Sequence, residues 1–411
     1  MKHLLHCTLL FTFIFVNPVF SQQVKETFAW QAGYLDIHHI NTARGNATFF
    51  IFPDGTTMLF DAGDKQIPQG KVSEYFPIPP NDSLSAGGWI ARYIRKMTSS
   101  QETPQIDYAV ISHFHNDHYG QITASSKKST RFNYLLSGIT EVGDLLPLKT
   151  LIDRGYPDYN FPLDLKVFYR NNKTFQNYLS FIEARGIYNG LIAESLVAGR
   201  KDQIVLKRDP NAYQNFSVRN VKANADIWTG KNDSSFIYSV GKDIVQGDNL
   251  DENALCLALK ISYGPFDYYT GGDLNGFADW GGVDMETPVA KSVGQVEALA
   301  LNHHGYYDAT NRFFMKTLSP DVVIHQVIHD PHFQPDVLKV LSEQALHLFT
   351  YNMHNITRKL LDDKMLNMYK STKGHILIRV SPGGAQYNVH ILDDTDANFT
   401  PLKHFGPYFS R

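Results

Sequence analysis

Cysteine is nearly missing from this chain: two in 411 residues, Cys7 and Cys256. Cys7 falls inside an N-terminal segment that reads as a removable address, so one thiol remains and no intrachain disulfide can form. Cys256, in Ala-Leu-Cys-Leu-Ala-Leu, reads as a small core hydrophobe. Also lacking is an apolar run of bilayer length, since Leu4 to Val16 is shorter than the roughly 20 residues a span needs. Charge of one sign is not in excess either: 38 Lys+Arg stand against 41 Asp+Glu, a formal net charge of −3. That balance supplies no extended basic surface for nucleic acid. No short-period repeat or low-complexity run occurs. These absences exclude a disulfide scaffold, a membrane-embedded protein and a histone-like one. What is present, 43% apolar and 19% charged residues, suits a globular chain. At this length about three quarters of the unfolded surface can be buried.

The N-terminus, Met1-Lys2-His3 followed by Leu4 to Val16 and then Val19-Phe20-Ser21, has the order of a secretory signal spanning 1–21. The expectation is an exported protein, periplasmic or secreted, whose mature part 22–411 is one domain without a membrane segment. Short strands divided by turn signals follow from Gly33: Asn46 to Phe52, then Pro53-Asp54-Gly55, then Met58 to Phe60. A helix is predicted over Ser83 to Met97, with Trp89, Tyr93, Ile94 and Met97 on one face. Another carries Phe175, Tyr178, Leu179 and Ile182. A second strand-rich half is expected from about Ile237, with a hairpin at Tyr263-Gly264-Pro265 and buried strands at Val296 to Leu301 and Val322 to Val327. A further hairpin turns over Pro382-Gly383-Gly384. His38 and His39 lie on an early strand and are read as structural.

Chemistry concentrates after the buried strand Asp107 to Ser112, in His113-Phe114-His115-Asn116-Asp117-His118. Imidazole nitrogen with some carboxylate oxygen is the donor set that zinc-like divalent ions favour. In an extended loop His113 and His115 point the same way, while Asp117 and His118 turn toward a neighbouring position. One loop can then set the spacing of two metals, which two-metal hydrolysis needs at about 3.5–4 Å. The alternative is a solvated polar loop whose histidines coincide by chance.

The motif resembles the H-x-H-x-D-H signature of the metallo-β-lactamase superfamily. Three more elements match in order: Phe60-Asp61-Ala62-Gly63-Asp64, Gly271-Gly272-Asp273 and Leu301-Asn302-His303-His304-Gly305. The His-His-Gly form, with Leu35-Asp36-Ile37 and Gly374-His375-Ile376, is similar to the nuclease-like domain of the DNA-uptake competence channel (ComEC type) and to secreted phosphorylcholine esterases. The resemblance implies an α/β fold, the αββα sandwich, with a long insertion at 123–230 after the first metal-binding loop. Lactamases place a third histidine between that loop and the bridging aspartate, yet no histidine occurs between Tyr119 and Asn302.

By this resemblance two divalent metal ions, zinc or manganese, are held by His113, His115 and Asp273 and by Asp117, His118, Asp273 and His304. Asp61 would fix the tautomer of a ligating histidine, and His332 would border the substrate. His303 would contact a phosphoryl oxygen or protonate the leaving group, the roles of His303 and His304 being interchangeable at this point. The implied function is metal-dependent hydrolysis of a small-molecule or other phosphodiester substrate by an activated hydroxide. The alternatives are hydrolysis of a lactam, lactone or thioester, and a binding protein of the same fold without turnover.

Overall fold

Along Thr48 to Phe52 alternate side chains part company: Phe49 and Ile51 join one apolar cluster, Phe50 and Phe52 another. That alternation is the signature of a strand buried on both faces, and it organises the whole molecule. The computed structural model describes residues 29–238, 244–247, 249–277 and 283–411. The signal reading of 1–21 lies outside them.

One sheet takes β1 (Leu35–His39), β2 (Thr48–Ile51), β3 (Thr57–Phe60), β4 (Ile106–Val110), β5 (Leu148–Asp153) and β6 (Ile192–Ser195) from the first half of the chain. The other takes β7 (Phe216–Ala223), β8 (Asp226–Trp228) and β9 (Ser235–Ile237). After a small antiparallel ribbon, β10 (Val245–Gln246) with β11 (Asn249–Leu250), it adds β12 (Ala258–Tyr263), β13 (Phe266–Thr270), β14 (Ala298–Ala300), β15 (Val322–His325), β16 (His347–Thr350) and β17 (Tyr369–Thr372). The chain then returns to the first sheet through β18 (His375–Val380), β19 (Gln386–Leu392) and β20 (Pro401–Phe409). The strand orders are β20-β19-β18-β1-β2-β3-β4-β5-β6 and β17-β16-β15-β14-β13-β12-β7-β8-β9.

The inner faces of both sheets supply one cluster, with Ile37, Phe50 and Val110 meeting Leu259, Tyr268 and Ile324. The outer faces are covered by helices, Ala86–Met97 on the first sheet and Glu286–Val293, Arg312–Leu318 and Pro335–Leu341 on the second. The result is a layered α/β sandwich. Trp89, Tyr93, Ile94 and Met97 are all buried, so the apolar face of that helix is the one its spacing indicates. His38 and His39 are both fully buried on opposite faces of β1, the first against Tyr93 and the second against Tyr268.

One boundary differs from expectation. The second sheet begins at Phe216, with β7, β8 and most of β9 before the predicted start near Ile237, because β7 buries Asn220 and Lys222 and so lacks an apolar signature. Lys222 Nζ donates to the carbonyls of Ala254 and Cys256, at 2.7 and 3.0 Å. The first strand of the hairpin over Tyr263-Gly264-Pro265 starts at Ala258, since Asn253–Leu255 before it forms a 3₁₀ turn. Residues 123–230 contribute to both sheets: β5 and β6 extend the first in parallel with β4, and β7 and β8 belong to the second.

Strands β3, β4 and β5 run parallel, as do β13, β14 and β15. Their C-terminal ends therefore open at one edge of the sandwich, where loops from both sheets meet. Leu257 N donates to Ser112 O across that junction at 2.9 Å.

Candidate metal centre

The histidine loop leaves β4 at Ile111 and enters one helical turn, Asn116–Tyr119. Asp61, just past β3, organises it from a left-handed backbone conformation (φ 64°). Its carboxylate accepts the Ser112 N–H at 2.7 Å, the Ser112 hydroxyl at 2.8 Å and the His118 Nδ1–H at 2.8 Å. Gly63 and Gly45 let the backbone close on the loop from the other side. A Cβ at either would lie 2.0 or 2.2 Å from the Asp117 carbonyl oxygen.

Asp273 reaches the same place from the end of β13. Its turn needs Gly272 (φ 59°), where a Cβ would meet Ser112 Oγ at 2.8 Å. Cys256, read from sequence as a core hydrophobe, is fully buried, and its sulfur accepts the Asp273 N–H at 3.3 Å. His303 and His304 follow β14, both with positive φ (45° and 51°), and His303 N donates to Gly272 O at 3.1 Å.

Two compact groups of donors result, His113, His118 and Asp273, and Asp117, His118 and His304. His118 Nε2 lies 3.0 Å from Asp273 Oδ1, and His113 Nε2 lies 3.8 Å from Asp273 Oδ2. His304 Nε2 lies 3.6 Å from Asp273 Oδ1 and 3.9 Å from Asp117 Oδ2. Hydrogen bonding fixes which nitrogen is free. His118 gives its Nδ1–H to Asp61, and His304 gives its Nδ1–H to the Gln326 carbonyl at 2.8 Å. Each therefore turns an Nε2 lone pair inward.

His118 Nε2, His304 Nε2 and Asp273 Oδ1 are buried without hydrogen-bond partners. Three acceptors facing one another in a buried space repel unless a positive charge lies among them. The titration directions carry the same demand for positive charge, which a proton on His118 also meets. Burial alone would lower His118, yet Asp273 and Asp61 outweigh it and hold it well above the usual imidazole range. Burial would raise Asp117, but Lys65, His118 and His304 pull it below the usual carboxylate range. Asp273 is likewise depressed, against its burial, by His118, His304 and His303. Burial keeps His113 and His304 low. Displacing that proton leaves ionised carboxylates and inward imidazole lone pairs, the state a divalent cation requires, and the donor set fits one.

The remaining predicted residues lie around this centre. His115 is exposed, with Nδ1 3.0 Å from His113 Nε2, and belongs to neither compact group. His303 is 19% exposed, bonded through Nδ1 to Asp308 at 2.5 Å, with Nε2 3.9 Å from Asp273 Oδ2. His332 stacks on His304 with ring centroids 4.5 Å apart and planes 17° from parallel. His325 backs the motif, donating from Nε2 to the His304 carbonyl at 2.8 Å.

No family model matches the chain, and no curated protein matches it. A solved structure from Parabacteroides distasonis, a provisionally assigned metal-dependent hydrolase, is similar over 77% of this chain and 92% of that one, with 10% identity and a TM-score of 0.35. Similarity at that level carries no chemistry. The donor set does.

Residues without a motif complete the site. Lys65 Nζ lies 2.8 Å from Asp117 Oδ2. Glu252, in the turn before β12, accepts the Phe114 N–H at 2.9 Å between His113 and His115 and is paired with Arg154. Asp308 faces His303. Nothing local marked these residues in the sequence, because a lone Lys, Glu or Arg is ordinarily a solvated charge.

Proposed function

We propose that this protein is an exported metal-dependent hydrolase of the metallo-β-lactamase kind, with a phosphodiester as its substrate. The observation that carries the reading is the buried set of unpartnered inward acceptors, His118 Nε2, His304 Nε2 and Asp273 Oδ1. His113, His115 and Asp273 would hold one divalent ion, and Asp117, His118, Asp273 and His304 the other. Such ions, zinc or manganese, supply a nucleophile at neutral pH by lowering the pKa of water, and charge neutralisation at phosphorus.

The chain's own residues do the rest. Asp61 holds His118 in the tautomer that presents Nε2, and Gln326 does the same for His304. Asp308 orients His303, whose Nε2 side faces the centre and is partly open to solvent. His303 is thereby placed to hand a proton to a leaving oxygen, the usual work of an oriented imidazole. His332, stacked on His304, borders the substrate space.

The test is a panel of chromogenic phosphodiester, phosphomonoester, lactam, lactone and thioester substrates assayed with Zn²⁺ or Mn²⁺. Turnover fastest on the phosphodiester and abolished by chelation supports the reading. Preference for a lactam, lactone or thioester moves the substrate class. Metal uptake without turnover of any of them makes the protein a binding module.

A further inference from the structure

One cation stands at the mouth of the centre without a place in the ligand set. Lys65 follows the Asp61–Asp64 turn, and its backbone N–H is bonded to the Arg44 carbonyl at 2.8 Å, so its starting point is fixed. Its side chain is 32% exposed, while that of Asp117 behind it is 9% exposed. The side chain is therefore part-buried, with its ammonium resting on a carboxylate that is more deeply covered. It makes one hydrogen bond among the described residues, to Asp117, and an ammonium has three donors. Arg44, the neighbouring cation, is engaged elsewhere: its Nη1 donates to the Ala43 and Phe76 carbonyls at 2.6 and 2.9 Å.

The wall beside Lys65 is a ladder of rings leading inward. Tyr75 stacks on His329 at 4.9 Å, His329 lies 3.9 Å from His332, and His332 stacks on His304 at 4.5 Å. Tyr75 and His329 also pair as an isolated β-bridge, which ties the 61–76 segment to the loop after β15. Lys65 is thus held on the rim of the space bounded by Asp117, His304 and His332, and does not trail in solvent.

We propose that Lys65 is a substrate-contacting residue, its ammonium taking a non-bridging anionic oxygen of a phosphoryl group while Asp117 holds it at the mouth. This rests on the phosphoryl reading above. The bland alternative makes Lys65 only a counter-charge for Asp117. In that case its loss changes stability or metal binding and leaves anion recognition alone.

Zinc-loaded wild type, Lys65→Met and Lys65→Arg separate the two. Zinc content is measured on each, then the dissociation constant of inorganic phosphate by calorimetry. Lys65→Met should keep its zinc and bind phosphate about 10–100-fold more weakly, the scale of one charge-assisted hydrogen bond. Lys65→Arg keeps the charge and should recover most of that affinity. Unchanged phosphate affinity in Lys65→Met overturns the proposal. So does loss of zinc from it, which would make Lys65 a support for Asp117. If zinc-loaded wild type binds no phosphate and hydrolyses no phosphate ester, the phosphoryl reading itself has failed and this one falls with it.

Discussion

Arg154 and Glu252 form a buried two-pronged ion pair, Nε to Oε1 at 2.7 Å and Nη2 to Oε2 at 2.5 Å, and the same Oε1 accepts the N–H of Phe114 at 2.9 Å. Arg154 follows the end of β5, Glu252 precedes β12, and the guanidinium lies 5.0 Å over the Phe114 ring. The histidine loop is thereby tied to residues 123–230 and to the second sheet at one point. Tyr169 OH adds a bond to Glu252 Oε2 at 3.2 Å, and Arg154 Nη1 donates to the Phe161 carbonyl at 3.1 Å.

Because neither charge has water to fall back on, removing one partner should be worse than removing both. Glu252→Leu is expected to cost about 3–5 kcal/mol, the penalty for an uncompensated buried charge. The double variant Arg154→Met with Glu252→Gln keeps an acceptor for Phe114 and removes both charges, and it should recover most of that loss. Urea unfolding of the two variants and wild type checks the order.

Metal content and turnover measured together separate the adjacent histidines. His304→Ala deletes an inward lone pair and should lose metal. Asp117→Asn keeps the shape but not the charge and should also lose metal and activity. His303→Ala should retain metal while turnover falls about 10²–10⁴-fold, the scale of one positioned acid–base group. If His303→Ala loses metal and His304→Ala keeps it, the two roles are exchanged. If all three keep metal and rate, the site lies elsewhere.

Asp61 never needs to touch a metal to matter. Asp61→Asn leaves one acceptor oxygen for the three donors that now share two, so the inward His118 Nε2 is no longer enforced, and metal affinity should fall about 10–100-fold. Competition against a fluorescent zinc chelator reads that change directly. An affinity equal to wild type would reduce Asp61 to a turn residue.

Acid should unfold the protein through buried histidines that belong to neither donor group. Burial pushes His39 and His375 down to about 3 from the ordinary 6.5. Above the unfolded value neither state binds the proton, and their contribution is complete. As pH falls from 6.5 toward 3 the unfolded chain takes up protons first, so stability drops by up to about 1.4 kcal/mol per pH unit for each histidine. His375 Nδ1 accepts the Asn41 N–H at 3.0 Å, which glutamine can also do. Urea midpoints at pH 7 and pH 5 should fall less steeply for His375→Gln than for wild type.

What was legible in the sequence was local. The side chains of 113–118 share one short loop, so any strand-to-loop transition there brings donors together, and the strands were visible because burial on two faces demands unbroken apolar runs such as Thr48 to Phe52. The face of the helix Ala86–Met97 was equally plain, since 3.6-residue spacing is a property of the chain itself. β7 was missed because its buried Lys222 is satisfied by carbonyls from a turn more than thirty residues away.

The cluster at 113–118 and the alternation that makes two sheets belong to the sequence alone. The tertiary structure decided which donors face one another. His118 enters both compact groups and His115 neither, because that depends on where Asp273 arrives and on two anchors, Asp61 at 57 residues from His118 and Gln326 at 22 residues from His304. Lys65, Arg154, Glu252 and Asp308 acquired their roles in the same way. A charged residue carries no local sign of its partner, and the parallel ends of β3, β4, β5, β13 and β14 are what bring each pair within bonding distance.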